Sequence, residues 1–314
     1  MRRHVHNSYA ESRFPVAELP CLMCDAVPSL VLSVQSHVAL GHVGNAAAVF
    51  PLQRLGFEVL PVNTVQFSNH TGYGQFRGMV FGAAHIRDVL LGLRERGVLS
   101  RVAAVLSGYL GDAGTGEVIL EAVDDIRRGN PAVRYLCDPV MGDVGRGVFV
   151  NAAIPDFLRN QAIPFADIIT PNQFEFELLT DSPLNSIGQA VRAARQMRGR
   201  GPDVVVITSL ATPDMPADML GTLAVDGHGA WLVTTPRLAR HPLPNGMGDV
   251  FSATLLGRLL AGLALPEALE MTTATLYALV QATPEGSRDL PLVSAQQQIV
   301  APGQRYQAVA LADG

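Results

Sequence analysis

The sequence predicts an α/β protein: a mostly parallel central sheet with helices on both faces. Three observations carry that expectation. Short apolar runs such as Leu30-Val31-Leu32-Ser33-Val34-Gln35 read as strands buried on two sides. Such runs alternate with longer helical segments through to residue 280, the pattern of parallel strands joined by crossover helices. Polar and glycine-rich stretches follow the strands: Gln35-Ser36-His37, Asn63 to Gly74, Ser107-Gly108-Tyr109, Asp138 to Gly147, Thr170-Pro171-Asn172 and Thr208-Ser209. Open parallel sheets place their ligands at those strand ends.

The elements follow in order. After the first strand, Gly41-His42-Val43-Gly44-Asn45 leads into a helix from Ala46 to Leu55. Gly56 closes it, because glycine accepts the left-handed conformation at a helix end. Phe57 to Val62 is a second strand, Ala84 to Glu95 a helix, Val102 to Leu106 a strand and Gly114 to Arg128 a helix. Val133 to Cys137 and Ala166 to Ile169 read as strands, Gln173 to Leu179 and Ile187 to Arg198 as helices, and Val204 to Thr208 as a strand. Leu220 to Val225 and Ala230 to Thr234, separated by Asp226-Gly227-His228-Gly229, predict an antiparallel hairpin at the sheet edge. Helices at Val250 to Leu263 and Pro266 to Val280 finish the series. Residues 1–29 are polar, aperiodic and broken by Pro15, Pro20 and Pro28, so they are expected to form an extension outside a single domain of 30–314.

Composition narrows the function classes. The 314 residues are 48% hydrophobic and 16% charged, with net charge −5, which suits a soluble globular chain with a large core. A mildly acidic balance implies neither a nucleic-acid nor an anionic-membrane partner. No apolar run reaches transmembrane length, and the start lacks the apolar stretch of a secretory signal. The three cysteines, Cys21, Cys24 and Cys137, make no disulfide framework, which fits a reducing cytoplasm. Cys21 and Cys24 have the spacing of half a zinc site, but no second pair completes it. His37, His42, His70, His85 and His241 show no helical ligand spacing with a partner acid, so none is assigned to a metal. All 23 basic residues are arginine. Schiff-base chemistry and a Walker-type phosphate loop both need lysine, so both are excluded.

The stretch Pro244-Asn245-Gly246-Met247-Gly248-Asp249 runs into the apolar helix that starts near Val250. A helix N-terminus offers unpaired N–H groups and the positive end of the dipole, and glycine lets the backbone approach a phosphate. An aspartate beside an anion site is suited to removing a proton from an attacking hydroxyl. Asp249 as a simple helix cap is the competing expectation. In Cys137-Asp138-Pro139-Val140-Met141-Gly142-Asp143, two carboxylates past a buried strand suit Mg²⁺ beside substrate phosphates. Asn172 and Glu175 have capping-box spacing, yet Glu175 also faces the strand-end surface of Asp138 and can orient metal-bound water. Asn63 to Gly74, rich in amides and hydroxyls with Phe67 and Tyr73, suits a wall or lid over a small ring.

Taken together, Gln35-Ser36-His37-Val38, Asn63 to Thr71, Ser107-Gly108-Tyr109-Leu110, Cys137 to Asp143, Ile169 to Glu175 and Gly246-Met247-Gly248-Asp249 resemble the pyridoxal kinases of the ribokinase-like superfamily. The resemblance spans about 30 to 253, and the Asn63 to Thr71 run is its specific part. It implies a three-layer α/β/α sandwich and ATP-dependent phosphorylation of the hydroxymethyl group of pyridoxal, with pyridoxine and pyridoxamine as further substrates. It implies Asp249 as general base in a direct in-line transfer, with Gly246, Met247 and Gly248 as the anion hole. Ser36, Thr71, Gly72 and Tyr109 would bind the vitamer, together with Asp249. Asp138, Thr170, Glu175, Thr208, Ser209, Thr235, Pro236, Arg237 and Leu238 would bind ATP, and Asp143 and Glu175 the metal. Mg²⁺ with ATP is the expected cofactor, a monovalent cation stays open, and a cytoplasmic homodimer is the expected assembly. Two positions depart from the pattern. Met247 stands where many relatives carry threonine or valine, and Thr208 where some carry lysine. Two alternatives stay open: a hydroxymethylpyrimidine kinase and a non-catalytic pyridoxal-binding protein.

Overall fold

A computed structural model describes residues 29–312. The expectation for residues 1–28, including Cys21 and Cys24, lies outside the described residues. The elements are, in order, β1 (Leu30–Leu40), α1 (Asn45–Arg54), β2 (Glu58–Asn69), β3 (Gly78–Val80), α2 (Ala83–Glu95), β4 (Val102–Ser107), α3 (Ala113–Gly129) and β5 (Arg134–Cys137). A small hairpin follows, β6 (Gly142–Asp143) and β7 (Gly147–Val148), then α4 (Ala153–Phe157), α5 (Ile163–Phe165) and β8 (Ile168–Ile169). The chain continues with α6 (Gln173–Thr180), α7 (Ile187–Arg198), β9 (Val204–Leu210), β10 (Met219–Val225) and β11 (Ala230–Pro236). It ends with α8 (Met247–Leu260), α9 (Leu265–Ala282), α10 (Gln297–Val300) and β12 (Val309–Ala310).

Ten strands form one sheet in the order β12-β11-β10-β9-β8-β5-β4-β1-β2-β3. The six strands from β9 to β2 are parallel, and the edges are antiparallel. Alternation along each strand splits the core into two layers. Leu32, Val34, Val105, Tyr135, Ile169 and Val205 face the layer that holds α2, α3, α6 and α7. Val31, Ala104, Leu106, Leu136 and Ile168 face the layer that holds α1 and α8. This is the expected α/β/α sandwich. Helix α8 is apolar all round because the sheet, α1 and α9 enclose it; Val250 to Arg258 are all buried.

One charge is sealed in that layer. Arg258, 3% exposed, donates to the Thr272 and Thr275 hydroxyls at 3.0 and 2.8 Å and to the Ile299 carbonyl at 2.9 Å. The guanidinium thereby ties α8 to α9 and α10. Arg258→Ala removes the donor from three buried acceptors and leaves a cavity. The expected loss is about 2–4 kcal/mol of stability, read from the urea midpoint at unchanged slope.

The chain leaves β1 for β2 on one side and reaches β4 on the other, so β1 is the switch point of the sheet. Pairing with β4 stops at Val34 opposite Ser107, but pairing with β2 continues to Leu40 opposite Asn69, past a register shift between Gln35 and His37. A tongue of β1, β2 and β3 therefore projects beyond the sheet. This corrects the expected ends at Gln35 and Val62. Backbone pairing extended both strands through polar side chains that carry no apolar period. The expected irregular wall from Asn63 is strand as far as Asn69, and only the turn Thr71–Tyr73 caps it. One further expectation changes. β11 is not the edge, because β12 pairs outside it. Residues 153–165 are helical around a π-type turn at Leu158–Ala162, although Pro155 and Pro164 look like breakers. Proline is tolerated where no intrahelical N–H is required of it.

Candidate active site

The site is built where the N-termini of α1 and α8 meet beside the end of β1. Gly246 precedes α8 in the left-handed conformation at φ 77°, and no side chain caps the helix. The first intrahelical bond runs from the Val250 amide to the Gly246 carbonyl. The amides ahead of it are the unpaired ones that a helix start presents to an anion. Only glycine fits this position, since a Cβ on Gly246 would lie 2.0 Å from the His42 carbonyl oxygen. Asp249 sits in the first turn, yet no side chain caps this helix, and the backbone amide of Gly44 in the α1 loop faces its carboxylate. Burial raises its pKa above the ordinary carboxylate range, and the Gly44 amide opposes that rise. The capping expectation for Asp249 is thereby set aside.

A second carboxylate cluster lies alongside. Asp138 Oδ2 accepts the Ser252 hydroxyl at 3.0 Å, and Ser252 meets the Thr170 hydroxyl at 2.8 Å. A Cβ on Gly248 would sit 3.6 Å from the same Asp138 oxygen, so this acid borders the helix start directly. Burial and the neighbouring charges of Glu175 and Asp249 push the Asp138 carboxyl well up. Among the described residues, no arginine or histidine pairs with Asp138, Glu175 or Asp249. Two buried carboxyls and one half-buried one, without a basic partner, suit a hard divalent cation.

Glu175 completes the capping box. Its Oε2 accepts the Asn172 amide at 2.9 Å, and its backbone amide donates to Asn172 Oδ1 at 2.9 Å. Its Oε1 accepts the Met141 and Gly142 amides at 2.9 and 3.4 Å, which fixes the chain leaving Asp138. Burial nevertheless lifts this carboxyl to about 7. Both oxygens therefore serve backbone amides, a structural use that the capping-box spacing announced. Glu175→Gln turns an amide group toward a backbone donor. It is expected to cost about 1–3 kcal/mol, measured by thermal melting.

The remaining expected residues fall into three groups. Ser36 is drawn into the centre: a Cβ on Gly44 would lie 2.4 Å from its Oγ, and Gly44 is the residue whose amide faces Asp249. Thr208 follows, since its amide donates to Pro171 at 2.9 Å beside Thr170, and Ser209 next to it has φ 54°. Tyr109 lies beside the tongue, its carbonyl accepting the Thr64 hydroxyl at 2.8 Å. Thr71 and Gly72 stand on the turn at the tongue's tip, away from the carboxylate cluster. Thr235 and Pro236 end β11, the Arg237 amide donates to Asp218 at 2.7 Å, and Leu238 packs with Met247 and Val250. The Asp143 carboxylate pairs with Arg146 in the exposed β6–β7 hairpin. Among the described residues no group of three His, Cys, Asp or Glu is arranged as a metal cage.

Sequence reading missed Gly44, Ser252, Arg146, Arg288 and Asp289 as parts of this region. Ser252 was detectable, because it lies three residues after Asp249 and so shares its helix face. Asp289 carries no local signal.

Comparison with known proteins gives the family and the fold. Residues 96–291 match the phosphomethylpyrimidine kinase family profile. A pyridoxal kinase of Rubrobacter xylanophilus is 52% identical over 279 residues, 88% of this chain and 95% of that protein. One of Deinococcus radiodurans is 48% identical over 287 residues, 90% of this chain and 96% of that protein. The solved pyridoxal kinase of Leishmania donovani in complex with ADP and pyridoxine superposes with a TM-score of 0.83 at 31% identity, covering 90% of this chain and 99% of that one. The chain belongs to the pyridoxal kinase family, with the ribokinase-like fold of its solved members.

Proposed function

We propose that this protein transfers the γ-phosphoryl group of ATP to the 5′-hydroxymethyl group of pyridoxal, with pyridoxine and pyridoxamine as further substrates. One observation carries the reading. The Asp249 carboxylate stands in the first turn of α8, next to unpaired amides, and faces the Gly44 amide of a neighbouring loop instead of capping the helix. In the step, the substrate hydroxyl oxygen bonds to the γ-phosphorus as the bond to the β–γ bridging oxygen breaks. ADP leaves, and the hydroxyl proton passes to Asp249. The amides of Gly246, Met247 and Gly248 face the transferred group. A side-chain hydroxyl at position 247 is dispensable to this role, since the donor is the backbone. Ser36, Thr71, Gly72 and Tyr109 form the vitamer pocket. Thr170, Thr208, Ser209 and the segment 235–238 line the nucleotide side.

Asp138, with Glu175 through water, would hold Mg²⁺ accompanying ATP, and the ion supplies charge neutralisation at the phosphates. With no lysine in the chain, that contribution weighs more heavily here. Asp143 would join the metal by giving up its surface ion pair with Arg146. A cytoplasmic homodimer formed by one kinase domain from residue 30 completes the reading, and light scattering measures the assembly. Among the described residues no helix is long and apolar enough to cross a membrane.

The matched family profile is that of a phosphomethylpyrimidine kinase, which keeps a pyrimidine alcohol, hydroxymethylpyrimidine, as a second reading. A coupled ADP-release assay over the three vitamers and hydroxymethylpyrimidine, with and without Mg²⁺, decides between them. Pyridoxal should give the highest kcat/KM, and chelating the metal should abolish release. ADP release with hydroxymethylpyrimidine alone would overturn the vitamer assignment, and none with any alcohol would leave only a binding protein.

A further inference from the structure

Asp289 lies in an irregular stretch near the end of the chain, yet its carboxylate is a junction. Oδ1 accepts the His42 amide at 3.1 Å, and Oδ2 accepts the Tyr73 phenol. A Cβ on Gly41 would lie only 2.5 Å from Oδ1, so the contact excludes a side chain there. Arg288 adds to the tie. Its guanidinium donates to the Gly72 carbonyl at 3.3 Å and lies 5.7 Å from the Tyr73 ring centre. Its carbonyl accepts the Asn245 amide at 2.8 Å and the Asn245 side chain at 3.2 Å.

Two consecutive residues thus touch three segments. One is the loop whose Gly44 amide faces Asp249. One is the residue immediately before Gly246. The third is the turn that carries Thr71 and Gly72. That turn sits on the projecting tongue, closed by its own bonds: the Gly72 amide donates to His70 Nδ1 at 3.1 Å, the Tyr73 amide to the His70 carbonyl at 3.0 Å and the Gly74 amide to the Thr71 carbonyl at 3.2 Å. Burial and the bond to Asp289 push the Tyr73 phenol up to about 12, so it remains a donor at neutral pH.

We propose that Asp289 is a positioning residue for the vitamer pocket: by holding the Tyr73 phenol and the His42 amide together, it fixes the Thr71–Gly72 wall against the anion hole. The proposal rests on the vitamer-kinase reading and names a determinant of that site which lies outside every matched motif.

The test uses Tyr73→Phe, Asp289→Asn, Asp289→Ala and the Tyr73→Phe/Asp289→Ala double variant in the full chain. Tyr73→Phe keeps the ring and the Asp289–His42 bond, so the fold is retained. The KM for pyridoxal should rise about five- to tenfold in Tyr73→Phe, while the KM for ATP and the melting temperature stay at wild-type values. Asp289→Ala should raise the pyridoxal KM at least as much. The double variant should add nothing to Asp289→Ala, because the phenol acts only through the carboxylate. Asp289→Asn, which keeps an oxygen for the His42 amide, should fall between wild type and Asp289→Ala. Amide hydrogen exchange over residues 66–78 should be faster in Tyr73→Phe, a readout independent of turnover. An unchanged pyridoxal KM in an active Tyr73→Phe enzyme would overturn the proposal, as would an equal rise in the KM for ATP. Faster exchange in Tyr73→Phe, with wild type that releases no ADP on adding pyridoxal, would instead overturn the vitamer reading beneath it.

Discussion

Asp249→Asn is expected to lower pyridoxal-dependent ADP release by ~10²–10⁴. The fold should be unchanged. Asparagine keeps an oxygen that can accept the Gly44 amide, so the contact between the α1 loop and α8 survives. What is lost is the ability to take a proton. Burial already places this carboxyl above its ordinary range, which makes it a stronger base than an exposed aspartate. ATP binding, measured by calorimetry, should change little, because the amides of the helix start are intact. Near-normal turnover in Asp249→Asn would remove the base from the mechanism and leave positioning as the only role of this residue.

Gly246→Ala should lower turnover by about 10²-fold, through displacement rather than chemistry. Two effects act together. The residue is left-handed at φ 77°, a conformation that costs an alanine about 1–2 kcal/mol. The added carbon would also lie 2.0 Å from the His42 carbonyl oxygen, which is backbone and cannot rotate away. Relief requires the α1 loop and the α8 start to separate, and the anion-hole amides and the Gly44–Asp249 contact move with them. Gly262→Ala separates the two effects. Gly262 is also left-handed, at φ 88°, but a Cβ there meets nothing within 4 Å. It should lower the melting temperature by the strain alone and leave kcat unchanged. Equal kcat values in the two variants would show that the close approach at Gly246 does not set the site geometry.

Much of the site was legible because its signals are local. The left-handed glycine, the acid in the next turn and the apolar helix beyond it lie within ten residues, 244–253. The capping box of Asn172 and Glu175 was readable for the same reason, and the structure gives Glu175 that use on one carboxylate oxygen while the other secures the chain after Asp138. Spacing shows which carboxylates are near a strand end, but not which arginine reaches them: Asp143 meets Arg146 in a surface ion pair. Arg146 lies three residues on, across a hairpin too short to be predicted. The apolar period stops at Gln35 and Val62 because the side chains beyond are polar, whereas backbone pairing between β1 and β2 is indifferent to that.

The sequence alone determined the alternation of strands and helices, the strand ends that face the site, the glycine-flanked Asp249 and the absence of lysine. Each is a property of neighbours in the chain, where period, capping and turn chemistry operate. Tertiary structure alone decided that Gly44 faces Asp249, that Ser252 joins Thr170 to Asp138, and that Asp289 joins the tongue to the anion-hole segment. Those contacts link residues from 82 to 247 positions apart. Only the packing of α1, α8 and the chain after α9 at one edge of the sheet brings them within hydrogen-bond distance.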